Sequence, residues 1–277
     1  MARQVSGAGY RVTRPQTLSA EVDRARRFGG VARLYGDHAL DVLSRSRACV
    51  VGVGGVGSWA AEALARSGVG RLRLVDLDHV AESNINRQIH ALEPTLGQAK
   101  VHAMRERMAT IDPAIEVEVV EDFLSPENAA ELVAGCDVVI DAIDNVRAKA
   151  ALVLACRDAG IALVVCGGAG GKTDPARIRV HDLSRTEQDP LLSKLRRRLR
   201  AEHGFPRDPK RRFGVLAVYS DEPLRMPTAG CDAGPMGLAC AGYGSSMAVT
   251  ASVGLLAAAR ALDALVSGVS QSREVQQ

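Results

Sequence analysis

One run of residues limits this chain to few folds. Val50-Val51-Gly52-Val53-Gly54-Gly55-Val56-Gly57 follows an apolar segment and precedes a helical one. Glycine lacks a Cβ, so such a turn lets the backbone approach a phosphate closely, and the helix behind adds unpaired N–H groups and its positive end. A GxGGxG turn alone says only that a nucleotide binds, and most such turns serve NAD or FAD. The residues downstream are more telling: Asp76, Asp78, Asn84, Arg87, Gln88 and Lys100. A hydride carrier does not need this polar, cationic set, whereas a triphosphate has to be neutralised.

Around the turn, short apolar runs alternate with helical patterns, which indicates a Rossmann-like βαβ sheet of the α/β class. Strands are expected at residues 48–53, 71–75, 115–120, 137–140 and 161–166, with helices at 58–67, 98–111, 126–133 and 146–159. Ser125-Pro126-Glu127 reads as a helix start: a cap, a proline in the first turn, then a carboxylate. Residues 1–44 read as a helical N-terminal arm whose helix, 20–44, would bury Phe28, Leu34, Leu40 and Leu43. Residues 45–172 form the nucleotide-binding unit and 173–277 a C-terminal extension, the whole being one continuous fold.

The extension carries the charge. Nine Lys/Arg lie between residues 194 and 212 (Lys194, Arg196, Arg197, Arg198, Arg200, Arg207, Lys210, Arg211, Arg212) against Glu202 and Asp208, a local +7 on a chain of net +3. Such density suits a phosphate backbone, positioning a nucleic acid without reading it; the plainer reading is an exposed helix face and a solvated loop. Aromatic residues make up only 3% of the chain, so base stacking on an aromatic platform is not the expected mode. Residues 233–259 hold no charged side chain, yet six glycines and prolines among them favour a loop and buried helix over a membrane span. The six cysteines are scattered, and residues 1–14 are polar and basic rather than signal-like; free thiols in a cytoplasmic protein are expected.

Several motifs in order are more specific than any one. GxGGxG at 52–57, Asp76-Leu77-Asp78, Ser83-Asn84-Ile85-Asn86-Arg87-Gln88, Gly97-Gln98-Ala99-Lys100 and Asp141-Ala142-Ile143-Asp144-Asn145 together resemble the ubiquitin-activating-enzyme superfamily. Gly167-Gly168-Ala169-Gly170-Gly171 and Gln188-Asp189-Pro190-Leu191 are similar to its tRNA-acting branch, whose members dehydrate a threonylcarbamoylated adenosine beside the anticodon. The likeness is close over residues 24–200 and looser beyond. Protein-activating members commonly hold a structural zinc on two CxxC pairs; this sequence has no CxxC, and Cys231 and Cys240 lack a second pair, so no zinc is expected.

The resemblance implies a carboxylate attacking the α-phosphate of ATP, with magnesium as companion. By position in the motifs, Arg87 and Lys100 would supply positive charge, and Gly52, Gly54, Gly55 and Gly57 would shape the cradle. Asp76 would hold the ribose, with Asp78 and Gln88 nearby and Asn84 on the phosphates. Asp144 would be the catalytic and magnesium-binding carboxylate, leaving Asp141 a structural role. Lys194, Arg196, Arg197, Arg198, Arg200, Lys210, Arg211 and Arg212 would meet tRNA. Cys240 aligns, one residue out of register, with a family cysteine that would have a catalytic or redox role. A homodimer follows from the resemblance, in which Arg27 or Arg33 would reach the partner's nucleotide. A cysteine desulfurase system as partner and a monovalent cation near the second glycine cluster stay open at this point. The alternatives are an adenylyltransferase for a small sulfur-carrier protein, an NAD-dependent oxidoreductase, and a non-catalytic sulfur-handling adaptor.

Overall fold

The structure is a computed structural model that describes residues 22–36, 38–226 and 243–274. Its strands are β1 (Arg47–Val51), β2 (Arg71–Val75), β3 (Glu116–Val120), β4 (Val138–Asp141), β5 (Ala162–Cys166), β6 (Ile178–Asp182) and β7 (Leu216–Ser220). They make one sheet in the order β3-β2-β1-β4-β5-β7-β6. All neighbours are parallel except β6 and β7, which pair antiparallel. Strands covered on both faces become continuous apolar runs, and Ala48–Val51 and Val138–Ile140 are wholly buried. β6 and β7 extend the same sheet, so it runs across residue 172 without a break.

Strand order reverses between β1 and β4, which opens a crevice at their C-terminal ends. α3 (Gly57–Arg66) follows β1, and α4 (Lys100–Ile111) leads to β3. α5 (Ala129–Val133) precedes β4, and α6 (Val146–Ala159) links it to β5. α7 (Pro190–Glu202) packs on α6, capped by the Asp189 side chain. α8 (Met247–Glu274) lies along α3, close enough that a Cβ on Gly254 would sit 2.3 Å from the Val56 carbonyl oxygen. α8 is long and apolar enough to cross a membrane, but Val249, Val253, Ala257, Ala258 and Ala261 are core. The uncharged run is therefore a buried helix from Met247 onward.

Three local expectations need correction. The described part of the arm is two helices, α1 (Arg24–Tyr35) and α2 (Ala39–Arg45), separated at Gly36, whose φ of 98° lets its N–H close on the Ala32 carbonyl. α1 buries one face only: Phe28 seats against Gly68, while Leu34 lies on the other side of the helix and is 77% exposed. Leu43 is buried and Leu40 half-buried. Ser125-Pro126-Glu127 is a turn before α5 rather than its first turn, closed by Asn128 Oδ1 accepting from Ser125 N–H.

Candidate active site

A cavity of about 520 Å³ opens at the crevice. Gly52, Gly54 and Gly55 line it, together with Asp76, Asp78, Asn84, Arg87, Gln88, Lys100 and Asp144. Gly57 shapes it from behind: a Cβ there would lie 1.8 Å from the Gly52 carbonyl oxygen, so only glycine lets α3 start this close to the turn. Gly52 has φ 86°, the left-handed region, and faces the Ala142 carbonyl at the end of β4.

Asp76 closes β2 and holds the turn. Its Oδ2 accepts from Val53 N–H at 2.6 Å and its Oδ1 from Asp78 N–H at 2.9 Å. Burial pushes its carboxyl above the ordinary range, against the pull of Lys100 and these two amides. Lys100, only 6% exposed, sends Nζ to Asp78 Oδ2 at 2.7 Å and lies 4.0 Å from Asp76. A cation in the first turn of a helix opposes the helix dipole, and here two carboxylates offset that cost. Arg87 donates to the Ser83 carbonyl and to Asn86 Oδ1, with its side chain laid over Gly55. The Trp59 indole N–H holds the Arg87 carbonyl at 2.9 Å. Asn84 Oδ1 accepts from Ala81 N–H, and Gln88 Oε1 is buried at the cavity without a hydrogen-bond partner among the described residues.

The two aspartates after β4 differ. Asp144 is exposed on the cavity wall. Asp141 is fully buried against Lys149 Nζ at 2.9 Å, and Lys149 also donates to the Cys166 carbonyl at 2.8 Å. Burial raises the Asp141 carboxyl, and the lysine partly reverses this. Among the described residues no three His, Cys, Asp or Glu side chains gather as a metal-binding group. A metal here would depend on Asp144 and on the phosphates it accompanies.

Beyond these residues the cavity runs on to Gly167, Gly168, Gly170, Lys172, Asp189 and Tyr243, and past the exposed Phe123. The sequence motifs point to the glycines and Asp189 but not to Lys172 or Phe123. Asp189 Oδ2 accepts from Gly168 N–H at 2.9 Å, and its Oδ1 caps α7 through Leu192 N–H. Burial raises its carboxyl too.

Comparison with known proteins agrees with this geometry. The ThiF family model matches residues 28–275. The tRNA threonylcarbamoyladenosine dehydratase of Haemophilus influenzae is 45% identical over 90% of this chain and 97% of its own length. That of Escherichia coli is 47% identical over 87% of this chain and 94% of its own length. The chain belongs to the ThiF family, among the tRNA threonylcarbamoyladenosine dehydratases. The Escherichia coli dehydratase solved with ATP superposes with a TM-score of 0.82 at 46% identity, covering 89% of this chain and 96% of that one.

In this member of the dehydratase family the basic segment divides in two. α7 turns Leu191, Leu192, Leu195 and Leu199 into the core. Arg196 donates to Thr186 Oγ1, Arg198 pairs with Glu202, and Arg200 donates to the Pro206 carbonyl beneath the Phe213 ring. Lys194, Arg197, Arg207, Lys210, Arg211 and Arg212 are exposed. A shallow groove of about 480 Å³ is lined by Arg196, Arg197, Arg200 and Arg207. Arg27 and Arg33 are both exposed, and Arg27 donates to the Ile111 carbonyl of its own chain. Cys231 and Cys240 lie outside the described residues; Cys49, Cys136, Cys156 and Cys166 are buried free thiols.

Proposed function

We propose that this chain uses ATP to dehydrate a threonylcarbamoylated adenosine of tRNA to its cyclic form. The observation that carries the reading is one cavity that joins a glycine turn, two cations and a second glycine loop, in a chain matched nearly end to end by relatives of that name.

The chemistry follows from the charges. A carboxylate is a poor electrophile because its leaving group would be oxide. A carboxylate oxygen of the threonine moiety bonds to the α-phosphorus of ATP, and pyrophosphate leaves with the bonding pair. The neighbouring carbamoyl group then attacks the acyl carbon, AMP departs with the former carboxylate oxygen, and the carbamoyl proton is lost, a net removal of water. The nucleophile is tethered, so its effective concentration is high and no enzyme thiol is required. Both reactants of the first step are anions, and preorganised cations stabilise the charge that gathers there. Arg87, held by Ser83 and Asn86, is aimed before substrate arrives. Lys100 is held by Asp78, which is 59% exposed and able to yield to a phosphate. Magnesium fits as an ion bound by Asp144 with phosphate and water oxygens, a donor set it accepts; when bound it offsets phosphate charge.

The exposed cations of residues 194–212 suit the tRNA backbone. The same reading carries a homodimer, checked by molar mass in solution, and a cytoplasmic location. Incubation with ATP, magnesium and native tRNA, followed by nucleoside mass analysis, tests the function. Loss of one water from the threonylcarbamoyl nucleoside is expected. Equal pyrophosphate release with an unmodified transcript would reject it.

A further inference from the structure

The far end of the cavity holds a cation that the adenylation chemistry leaves unused. Lys172 directly follows the second glycine loop and is 2% exposed. Its ammonium donates to three main-chain carbonyls: Gln188 at 3.0 Å, Ser220 at 3.5 Å, and Glu222 in a short contact. Those carbonyls come from the segment before α7 and from the end of β7, so two separate stretches converge on one positive charge. Burial lowers the lysine's affinity for its proton, yet all three donors of the charged form are used, each on a main-chain carbonyl.

The surroundings are built for this ammonium. Gln188 is the one non-glycine described residue with positive φ, 53°, a conformation that persists where neighbours over-determine it; its carbonyl is one that Lys172 takes. The Glu222 carboxylate faces the other way, accepting from Thr173 N–H, Thr173 Oγ1 and Asp174 N–H. These bonds hold it ionised, down to about 2. The segment after the loop is thereby clamped from both sides. At the loop's start, Gly168 N–H is tied to Asp189.

Converging carbonyls that replace a hydration shell are the chemistry of an alkali-ion site, and an ammonium is close to potassium in size. We propose that Lys172 is a tethered monovalent cation: it fills a carbonyl cage and orders the glycine loop 167–171, so this chain recruits no free potassium or sodium there. Lys172 is a positioning residue acting through the loop. The proposal rests on the loop lying at the substrate end of the proposed reaction, but the cage can be tested apart from it.

The test compares wild type with Lys172→Ala in potassium chloride and in choline chloride at equal ionic strength. Wild type melts at the same temperature in both salts. The variant melts lower in choline and recovers as potassium or ammonium is added, because an ion that binds the folded form alone stabilises it. With ATP, magnesium and native tRNA, wild type turns over equally in both salts. The variant loses about a hundredfold in kcat in choline, the scale of a misplaced reacting group, with KM for ATP unchanged and kcat partly rescued by potassium. Potassium-dependent melting of the wild type would overturn the cage, as would a folded variant indifferent to every cation. If Lys172→Ala does not fold, Lys172→Gln and the wild-type melting pair decide. Absence of turnover in both salts would instead reject the proposed function, while melting still judges the cage.

Discussion

The two ends of the cavity each place a lysine out of solvent and treat it in opposite ways. Lys100, at the nucleotide end, has a half-exposed carboxylate as its near partner. Lys172, at the other end, has all its donors on main-chain carbonyls that cannot swing away. A charge meant to meet a ligand needs a partner that can be displaced, whereas a charge meant to hold a loop needs partners that cannot. Lys149 lies between the ends and belongs to the second kind. It ties the end of β4, through Asp141, to the end of β5, through the Cys166 carbonyl, at the point where the glycine loop begins.

The largest effect is expected where the two ends are joined. Lys149→Met leaves the buried Asp141 carboxylate unpaired, and breaking such a pair costs about 3–5 kcal/mol. Urea denaturation should show this loss, and Lys149→Met with Asp141→Leu should recover most of it. A single variant as stable as wild type would mean that the ends are not coupled here. The catalytic contrast comes next. Lys100→Ala or Arg87→Ala should lower kcat for pyrophosphate formation by about 100- to 1000-fold with little change in melting. A loss of stability equal to that of Lys149→Met would erase the distinction between a working and a holding lysine.

How far each end was legible follows from how it is assembled. Glycines 52–57, Asp76, Arg87 and Lys100 are separated by single elements of one βαβ unit, and strand order delivers them all to one crevice. The cage is made of residues 172, 188, 220 and 222, drawn from loops with no period and from a strand pair that crosses the end of the nucleotide unit. A lysine after two glycines reads as a surface residue until β7 is in place. In α7 the four leucines at helical spacing announce the buried face, but spacing does not show that Arg196 and Arg200 turn inward to Thr186 and Pro206. Leu34 is hydrophobic yet exposed, because α1 has only one face to bury and Phe28 occupies it.

A pH experiment sharpens the nucleotide end. His90 is buried with neither ring nitrogen bonded to a described residue, and burial, aided by Lys100 and Arg107, lowers its pKa to about 4. The unfolded chain, with an ordinary histidine near 6.5, then binds more protons between those values. Stability is therefore full above about pH 6.5 and falls as pH drops toward 4, by as much as about 3 kcal/mol. His90→Leu should flatten that part of the stability curve relative to wild type. Parallel curves would show that the ring is not held neutral beside Lys100.

The smallest effect distinguishes displaceable from committed charge outside the cavity. Arg197 is exposed on the groove, whereas Arg200 is bound to Pro206 and stacked at 5.1 Å on Phe213. A cation that neutralises one phosphate releases about one counterion, so Arg197→Ala should reduce the salt slope of tRNA binding by about one. Lys210→Ala should do the same, with melting unchanged in both cases. Arg200→Ala should instead lower melting and leave the salt slope nearly intact, because its charge already has a partner within the fold. If Arg200 and Arg197 changed the slope equally, engagement within the chain would not predict availability to RNA, and displaceable and committed charges would be alike on this face.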